Sequence, residues 1–252
     1  MTEERTFRGK SWGGAAPPSA ARISKKGGAL AGAAAAKPAV RRTQHERRAD
    51  AETRLLNAAR TLLARKGWVG MTLAQVGEAA GYSRGQATHH FGSKGALLRA
   101  LTSHINRSFA QEMETAPPSP EGLQAVLGYV RVYLGRSDPK WTNTRTLLLL
   151  LAEALLENSD TADVVAEYNR EMYTWLEDNL RLAAAQGEVR NDIDPGLGAE
   201  FVVGAMRGLA LQRLLRGSGS DLRQIREQVV QLIEFTFAAP RGSGESVKSE
   251  KK

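Results

Sequence analysis

Apolar side chains recur along most of this chain every three to four positions, as one face of an α-helix requires. No stretch alternates between apolar and polar positions as a half-buried strand would. Caps and breaks divide the pattern into nine segments. We therefore predict an all-α fold with nine helices, at residues 49–66, from 72, 83–89, 94–114, 121–135, 140–157, 161–186, 196–216 and 221–238.

Short polar signals indicate where several helices begin. Thr72 opens a Thr-x-x-Gln capping box, and Ser83 and Ser93 are suited to cap the third and fourth helices. Gly67 is expected to end the first helix. The run Leu147–Leu151 is apolar on every side, so we expect the protein to enclose its helix completely.

Composition separates the helical part from its ends. Residues 11–40 contain 11 Ala, 5 Gly and 3 Pro, which offer too little apolar surface to offset the entropy of ordering. We expect a disordered, basic, Ala/Gly/Pro-rich tail at 1–47, one helical domain at 49–109, a second at 121–238, and a disordered tail at 239–252.

The net charge of +8 is unevenly distributed. Residues 1–48 hold 11 basic and 3 acidic side chains, and residues 49–110 hold 8 and 3. Residues 111–238, by contrast, hold 12 basic and 19 acidic side chains. A basic front half indicates a polyanionic partner, either nucleic acid or an anionic surface, although a solvated basic tail gives the same count.

Several classes of protein are excluded or disfavoured. The absence of Cys excludes disulfides, thiolate metal sites and a Cys nucleophile. The longest apolar run, Leu147–Ala152, is far shorter than the roughly 20 residues of a membrane helix. No GxGxxG, GxxxxGK[ST] or HExxH motif is present. We expect a cytoplasmic protein that is not an enzyme, uses no cofactor and has no membrane partner.

Neighbouring histidines do not indicate a metal site. His89 and His90 are adjacent, so their side chains point to different sides of a helix. No carboxylate lies three or four residues away to complete a ligand set. We therefore expect no bound metal.

Residues 72–91 (TLAQVGEAAGYSRGQATHHF) have the pattern of a helix-turn-helix. Gly77, Ala80 and Gly81 supply the small residues and the positive φ that a sharp bend between two helices requires. Val76, Tyr82 and Ala87 are expected to face the core of the unit. The following helix then presents its polar residues to solvent, and such a helix fits the DNA major groove. Helix-turn-helix geometry also occurs in proteins that bind no nucleic acid.

Residues 54–98 (RLLNAARTLLARKGWVGMTLAQVGEAAGYSRGQATHHFGSKGALL) resemble the DNA-binding domain of the tetracycline-repressor (TetR) family. The matching features are Leu-x-x-Ala-Ala, Gly67-Trp68, Thr72, Ala80-Gly81-Tyr82-Ser83-x-Gly85 and His90-Phe91-x-x-Lys94. The resemblance implies a three-helix helix-turn-helix domain at 49–109. It also implies a helical ligand-binding and dimerisation domain at 121–238.

The resemblance also implies a role for each matching position. Thr72 and Lys94 correspond to phosphate contacts, and Ser83 and Arg84 to the first residues in the groove. Gln86 is the expected base reader, because its amide can pair bidentately with adenine. The expected DNA-binding residues are Thr72, Ser83, Arg84, Gly85, Gln86, Thr88, His89 and Lys94.

This chain departs from the family pattern at two positions. Thr88 replaces a common Tyr that contacts phosphate, so His89 or Arg84 is expected to make that contact. Gly77 replaces a common Ala, which should cost the helix about 0.5–1 kcal/mol.

Family analogy predicts a pocket for a small, largely apolar effector in the second domain. Its expected wall residues are Trp141, Tyr168, Met172, Trp175 and Met206. The alternative for each of them is a place in the core, where aromatic and Met side chains at helical spacing are common. Glu153, which interrupts an apolar run, is either a solvated surface residue or a polar anchor for the effector.

The last two helices are expected to form a homodimer. Gly204 and Gly208 lie four positions apart and permit close helix approach. The final helix carries an apolar stripe of Leu222, Ile225, Val229, Leu232, Ile233 and Phe237. A twofold dimer would bind a near-palindromic double-stranded DNA operator.

We therefore expect a repressor that its effector releases from DNA. A helical dimeric interaction protein without specific DNA readout is the alternative, and a regulator without any effector is a third possibility.

Overall fold

A computed structural model describes residues 43–136, 138, 140–217 and 222–240. Within these ranges the chain forms nine α-helices, a 3-10 turn at Leu222–Gln224 and an isolated antiparallel bridge between Val189 and Ala238. The helices are α1 Gln44–Gly70, α2 Leu73–Ala79, α3 Gln86–Phe91, α4 Lys94–Thr115, α5 Leu123–Gly135, α6 Thr142–Glu153, α7 Ala162–Ala185, α8 Pro195–Arg216 and α9 Arg226–Phe237. The predicted all-α fold is confirmed.

Helix α1 begins earlier than the predicted residue 49. Thr43 accepts a hydrogen bond from the Glu46 N–H (3.2 Å), and the Glu46 carboxylate accepts one from the Thr43 N–H (2.8 Å). This capping box starts the helix at Gln44, inside the predicted tail. Gly67, with φ of 69°, interrupts the helix at its predicted end, and a last turn continues to Gly70. Predictions for residues 1–42 and 241–252 lie outside the described residues.

Three other predicted boundaries are wrong, and one of them is the start of the last helix, at Arg226 rather than residue 221. Ser83 does not cap α3: the helix begins at Gln86 with Gly85 in the N-cap position, after a turn in which the Gln86 N–H donates to the Ser83 carbonyl (3.0 Å). Helix α6 ends at Glu153 rather than near residue 157. The caps at Thr72 and Ser93 are confirmed: Thr72 accepts from the Gln75 N–H (3.2 Å) and Ser93 from the Ala96 N–H (3.0 Å).

The helices enclose two hydrophobic cores. The first combines α1 to α4 and includes Leu55, Ala59, Val76 and Leu97. The second combines α5, α7, α8 and α9, and the α4 residue Phe109 belongs to it. Helix α4 therefore contributes to both cores and joins them.

Helix α6 is less enclosed than its sequence predicts. Within Leu147–Leu151 only Leu150 is fully buried, and the other four residues keep part of their surface exposed. One side of α6 lies against α1, where the Thr146 hydroxyl donates to the Arg60 carbonyl (3.1 Å). Clefts border another part of the helix, as described below.

Glu153 is not a solvated surface residue, because it is 6% exposed, and it does not line either of the two clefts described below. Its carboxylate accepts hydrogen bonds from the Ser159 hydroxyl (3.0 Å), the Asp160 N–H (3.1 Å) and the Thr161 hydroxyl. These bonds replace the water that a buried carboxylate loses. Glu153 therefore fixes the loop between α6 and α7.

The α6–α7 loop also docks onto the start of α4. The Asp160 carboxylate lies so near Gly95 that a Cβ at this position would collide with it. Arg99 donates to the Asp160 carbonyl (3.2 Å) and pairs with Asp163. The α6–α7 loop of the second domain thus contacts α4 near Lys94, the first residue of that helix.

Candidate DNA-binding surface and effector clefts

The turn between α2 and α3 depends on two glycines. Gly81 has φ of 79°, which glycine adopts without strain. The Tyr82 N–H donates to the Gly77 carbonyl (2.9 Å), and a Cβ on Gly77 would lie 2.5 Å from the Ser83 carbonyl oxygen. The close approach of the turn therefore confirms the need for a small residue at position 77 and explains why this chain has Gly where Ala is common in the family.

The unit packs through the residues predicted to face its core. Val76 and Ala87 are fully buried, and Tyr82 is half-buried against the same core. Ala87 and Phe91, four residues apart, lie on the packed face of α3. Gln86 and His89 share another face of this helix, and His89 is exposed.

The structure leaves most of the predicted DNA-binding residues at the surface. Gln86 and Lys94 are half-buried. The exposed ones are Thr72, Ser83, Arg84, Gly85, Thr88 and His89. A short helix that keeps its polar residues in solvent is the geometry that major-groove recognition requires.

The Arg84 guanidinium is held by a partner that sequence reasoning missed. Its Nε lies 2.7 Å from a carboxylate oxygen of Glu78 on α2, and both side chains are largely exposed. The sequence contained one signal for this partner: Glu78 is one of only three acidic residues between 49 and 110. An exposed pair of this kind is weak, so Arg84 can exchange Glu78 for another anion at little cost.

Lys94 is the first residue of α4, directly after its Ser93 cap. Its ammonium lies 4.0 Å from the centre of the Trp68 ring, a cation–π contact that fixes the side chain. Partial burial lowers the pKa of Lys94. A cation at a helix N-terminus is a suitable phosphate ligand, because the N-terminal N–H groups also attract anions.

The two adjacent histidines point to different surroundings. His89 is exposed, whereas His90 lies 3.5 Å from Glu52 and contacts the Phe91 ring edge-on. Among the described residues, no three His, Asp or Glu side chains are placed to share a metal ion.

The five predicted effector residues do not form one wall. Met172 and Met206 are fully buried in the second core, where the Tyr129 hydroxyl donates to Met172 Sδ (2.9 Å). Trp175 packs against Tyr129 with ring centres 6.0 Å apart. Trp141 and Tyr168 each border a different cleft.

The first cleft has a volume of about 500 Å³ with its open mouth included, and the second about 260 Å³. The first is lined by Ile105, Tyr133, Arg136, Asp138, Trp141, Asn143, Thr144, Leu147 and Leu222. The second is lined by Thr102, Ile105, Asn106, Leu147, Leu150, Leu151, Val165 and Tyr168. Most of these wall residues were not predicted, because a helical pattern does not show which helices meet at a cleft.

An apolar face remains uncovered on the last two helices. On α8 it follows alternating steps of four and three residues, and the Cβ positions of Gly204 and Gly208 are open. Its exposed members are Leu197, Phe201, Leu211 and Leu215 on α8 and Leu232 and Phe235 on α9.

Most of the apolar stripe predicted for the final helix faces the interior of this chain. Leu222, Val229, Ile233 and Phe237 are buried in the second core. Of that stripe, Leu232 is the member with a largely exposed side chain, and the neighbouring Phe235 was not predicted.

Comparison with known proteins agrees with this geometry. The family of bacterial regulatory proteins called tetR matches residues 55–101, and the C-terminal domain of BetI-type transcriptional repressors matches residues 123–238. The HTH-type transcriptional repressor Rv1474c of Mycobacterium tuberculosis is 31% identical over 181 residues, which cover 71% of this chain and 89% of that protein. The HTH-type transcriptional regulator CymR of Pseudomonas putida is 27% identical over 203 residues, or 79% of this chain and 96% of that one.

A solved structure shows the same fold at low sequence identity. AibR, crystallised with isovaleryl coenzyme A and operator DNA, superposes with a TM-score of 0.59 at 18% identity. The match covers 72% of this chain and 97% of AibR.

Fold and site together define a helix-turn-helix DNA-binding protein with a helical regulatory domain. The chain belongs to the TetR family of bacterial regulatory proteins. It is therefore a DNA-binding transcriptional regulator. None of the helices in the described ranges has the length and apolar character needed to cross a membrane.

Proposed function

We propose that this protein binds a near-palindromic operator as a homodimer and leaves it when a small, largely apolar molecule enters the second domain. The observation that carries the proposal is the exposed polar face of α3, which follows a turn fixed by Gly77 and Gly81. The DNA-binding unit corresponds to residues 49–109 and the effector and dimer domain to 121–238. The regulator acts in the cytoplasm and catalyses no reaction.

Base reading falls to the start of α3. Gln86 pairs with an adenine, and Arg84 exchanges Glu78 for an anionic or acceptor group of the DNA. Thr72 and Lys94 hold backbone phosphates on either side, one at the start of α2 and the other at the start of α4. Ser83, Gly85, Thr88 and His89 complete the surface.

Dimerisation covers the apolar face of α8 and α9. Phe235 is 86% exposed and Leu215 is 72% exposed in the single chain, a costly arrangement in water. Two copies of this face related by a twofold axis form a four-helix bundle. The same axis then relates the two α3 helices.

Helix α4 supports the release mechanism. Ile105 borders both clefts, and Lys94 lies eleven residues earlier on the same helix, about 16 Å away. An effector that displaces Ile105 therefore also shifts the residue that holds phosphate. A bias of about 1–3 kcal/mol against the DNA-bound shape lowers operator affinity roughly 5–150-fold. AibR, which shares the fold, was crystallised with both kinds of partner.

Nuclease footprinting tests the proposed reading surface. The wild-type protein should protect a twofold-symmetric site, and the double variant Arg84→Ala/Gln86→Ala should lose this footprint while remaining dimeric. The matched control is Arg181→Ala/Gln186→Ala at the distant end of α7, which should keep the footprint. Sequence-specific protection by the Arg84/Gln86 variant would contradict the proposed placement.

A further inference from the structure

The two clefts of the second domain share two wall residues. Ile105 on α4 and Leu147 on α6 line both the first and the second cleft. The two side chains lie on helices that contact each other, so they form the partition between the clefts.

We propose that the clefts are the two ends of one channel, opened when Ile105 and Leu147 move aside, and that it takes an elongated, uncharged, mainly apolar molecule with one hydrogen-bonding end. This inference rests on the proposed effector response and specifies its ligand class. The channel runs from Leu222 in the first cleft to Val165 in the second. One of its two partition residues, Ile105, lies on α4, the helix that also carries Lys94.

The channel offers no spare charge for an ionic ligand. Arg136, at the first cleft, donates to Glu112 through Nε (2.7 Å) and Nη2 (3.0 Å). Asp138 already accepts hydrogen bonds from the Asn143 N–H (3.2 Å) and from the N–H and hydroxyl of Thr144 (2.8 Å each). No Asp, Glu, Lys or Arg lines the second cleft. An ionised ligand would therefore lose its water without gaining a counter-charge.

The polar end of the ligand fits at Tyr133. This tyrosine borders the first cleft, and its hydroxyl makes no hydrogen bond to any other described residue. Burial raises the pKa of Tyr133, which keeps the hydroxyl protonated and able to donate. A ligand hydroxyl or carbonyl at this point would satisfy it, with the apolar chain passing Leu147 toward the second cleft.

Binding of a graded series of 1-alkanols to the full-length protein tests the channel, with tryptophan fluorescence as the readout because Trp141 borders the first cleft. From 1-hexanol to 1-decanol the affinity should rise about fourfold per methylene, as burial of each CH₂ predicts. Decanoate and decylamine should bind at least tenfold more weakly than 1-decanol. Tyr133→Phe should weaken 1-decanol binding about fivefold, the usual value of one hydrogen bond.

The partition is tested by filling it. In Leu147→Trp the gain in affinity should stop near 1-hexanol, and Ile105→Phe, a second variant on the other helix, should shorten the usable chain in the same way. Leu155→Trp is the control, because Leu155 is 87% exposed in the α6–α7 loop and lines neither cleft. Thermal melts confirm that each variant is folded.

Three results would overturn the inference: the same chain-length profile in the wild type and both partition variants, equal binding of the ionised probes, or no binding of any alkanol. None of them bears on operator recognition, which the footprint measures without an effector. If the wild-type protein gives no footprint, the proposed function is contradicted, whereas the channel is still tested by alkanol binding.

Discussion

The DNA-binding unit and the effector domain are both helical, yet their sequences differ in what they determine. In the helix-turn-helix, Gly77 and Gly81 impose one geometry, because the turn tolerates no other residue without strain or collision. In the effector domain the apolar stripes exceed what one core needs. Helix α9 buries Val229 and Ile233 but exposes Phe235. A turn therefore orients the residues around it, whereas a stripe shows only that some apolar surface will be covered.

The uncovered face of α8 and α9 provides the strongest test of this contrast. Phe201→Glu/Phe235→Glu should raise the dimer dissociation constant by at least about a thousandfold, since each buried Phe contributes about 1.5–3 kcal/mol and the dimer loses four. Analytical ultracentrifugation measures the change. Leu155→Glu/Leu156→Glu, which alters exposed leucines outside this face, should stay dimeric. A dimeric Phe variant would show that this face is not the interface.

Glu153 gives the next largest effect. Glu153→Ala should lower the free energy of unfolding by about 2–4 kcal/mol, because three hydrogen-bond donors, at Ser159, Asp160 and Thr161, lose their acceptor. Urea denaturation measures it. The exposed Glu157→Ala should change stability by less than about 0.5 kcal/mol. Equal losses of stability in the two variants would contradict the role of Glu153 in fixing the α6–α7 loop.

A cap in the DNA-binding unit should have a moderate effect. Thr72→Ala should cost about 1 kcal/mol of stability, because the Gln75 N–H loses its acceptor at the start of α2. Thermal or urea unfolding detects a change of this size. Thr53→Ala, within α1, should leave stability nearly unchanged, since the Thr53 hydroxyl donates only to the Ala49 carbonyl of its own helix.

The smallest expected effect concerns the ion pair between Glu78 on α2 and Arg84 in the turn before α3. Glu78→Gln frees Arg84, so affinity for operator DNA should rise up to about fivefold, the value of an exposed ion pair of at most about 1 kcal/mol. Fluorescence anisotropy on labelled duplex measures it. Glu171→Gln, an equal charge change on α7, should have a smaller effect. Equal gains would assign the effect to net charge alone.

Local signals in the sequence were sufficient for much of the DNA-binding unit. The caps at Thr72 and Ser93 and the positive φ of Gly81 depend on neighbours within a few residues, so the chain itself specifies them. Ser83 failed as a predicted cap because the turn from Ser83 to Gln86 comes before the helix, whose N-cap position is Gly85. The pairing of Arg84 with Glu78 needed the turn geometry before it could be seen.

The effector domain could be predicted as helices but not as surfaces. Glu153 is buried because its loop folds back onto it, a contact that no helical period reveals. Met172, Met206 and Trp141 are all large apolar residues within predicted helices. The two methionines fill the core, whereas Trp141 borders a cleft. Which face of a helix meets the core depends on how all the other helices of the domain pack.

Selection of bound duplexes from a pool of random sequence tests the central claim most directly, since it asks whether α3 reads bases once in each subunit. The account predicts enrichment of one near-palindromic site by the wild type and none by Arg84→Ala/Gln86→Ala. A pool without any enriched sequence, or the same site recovered with both proteins, would contradict it.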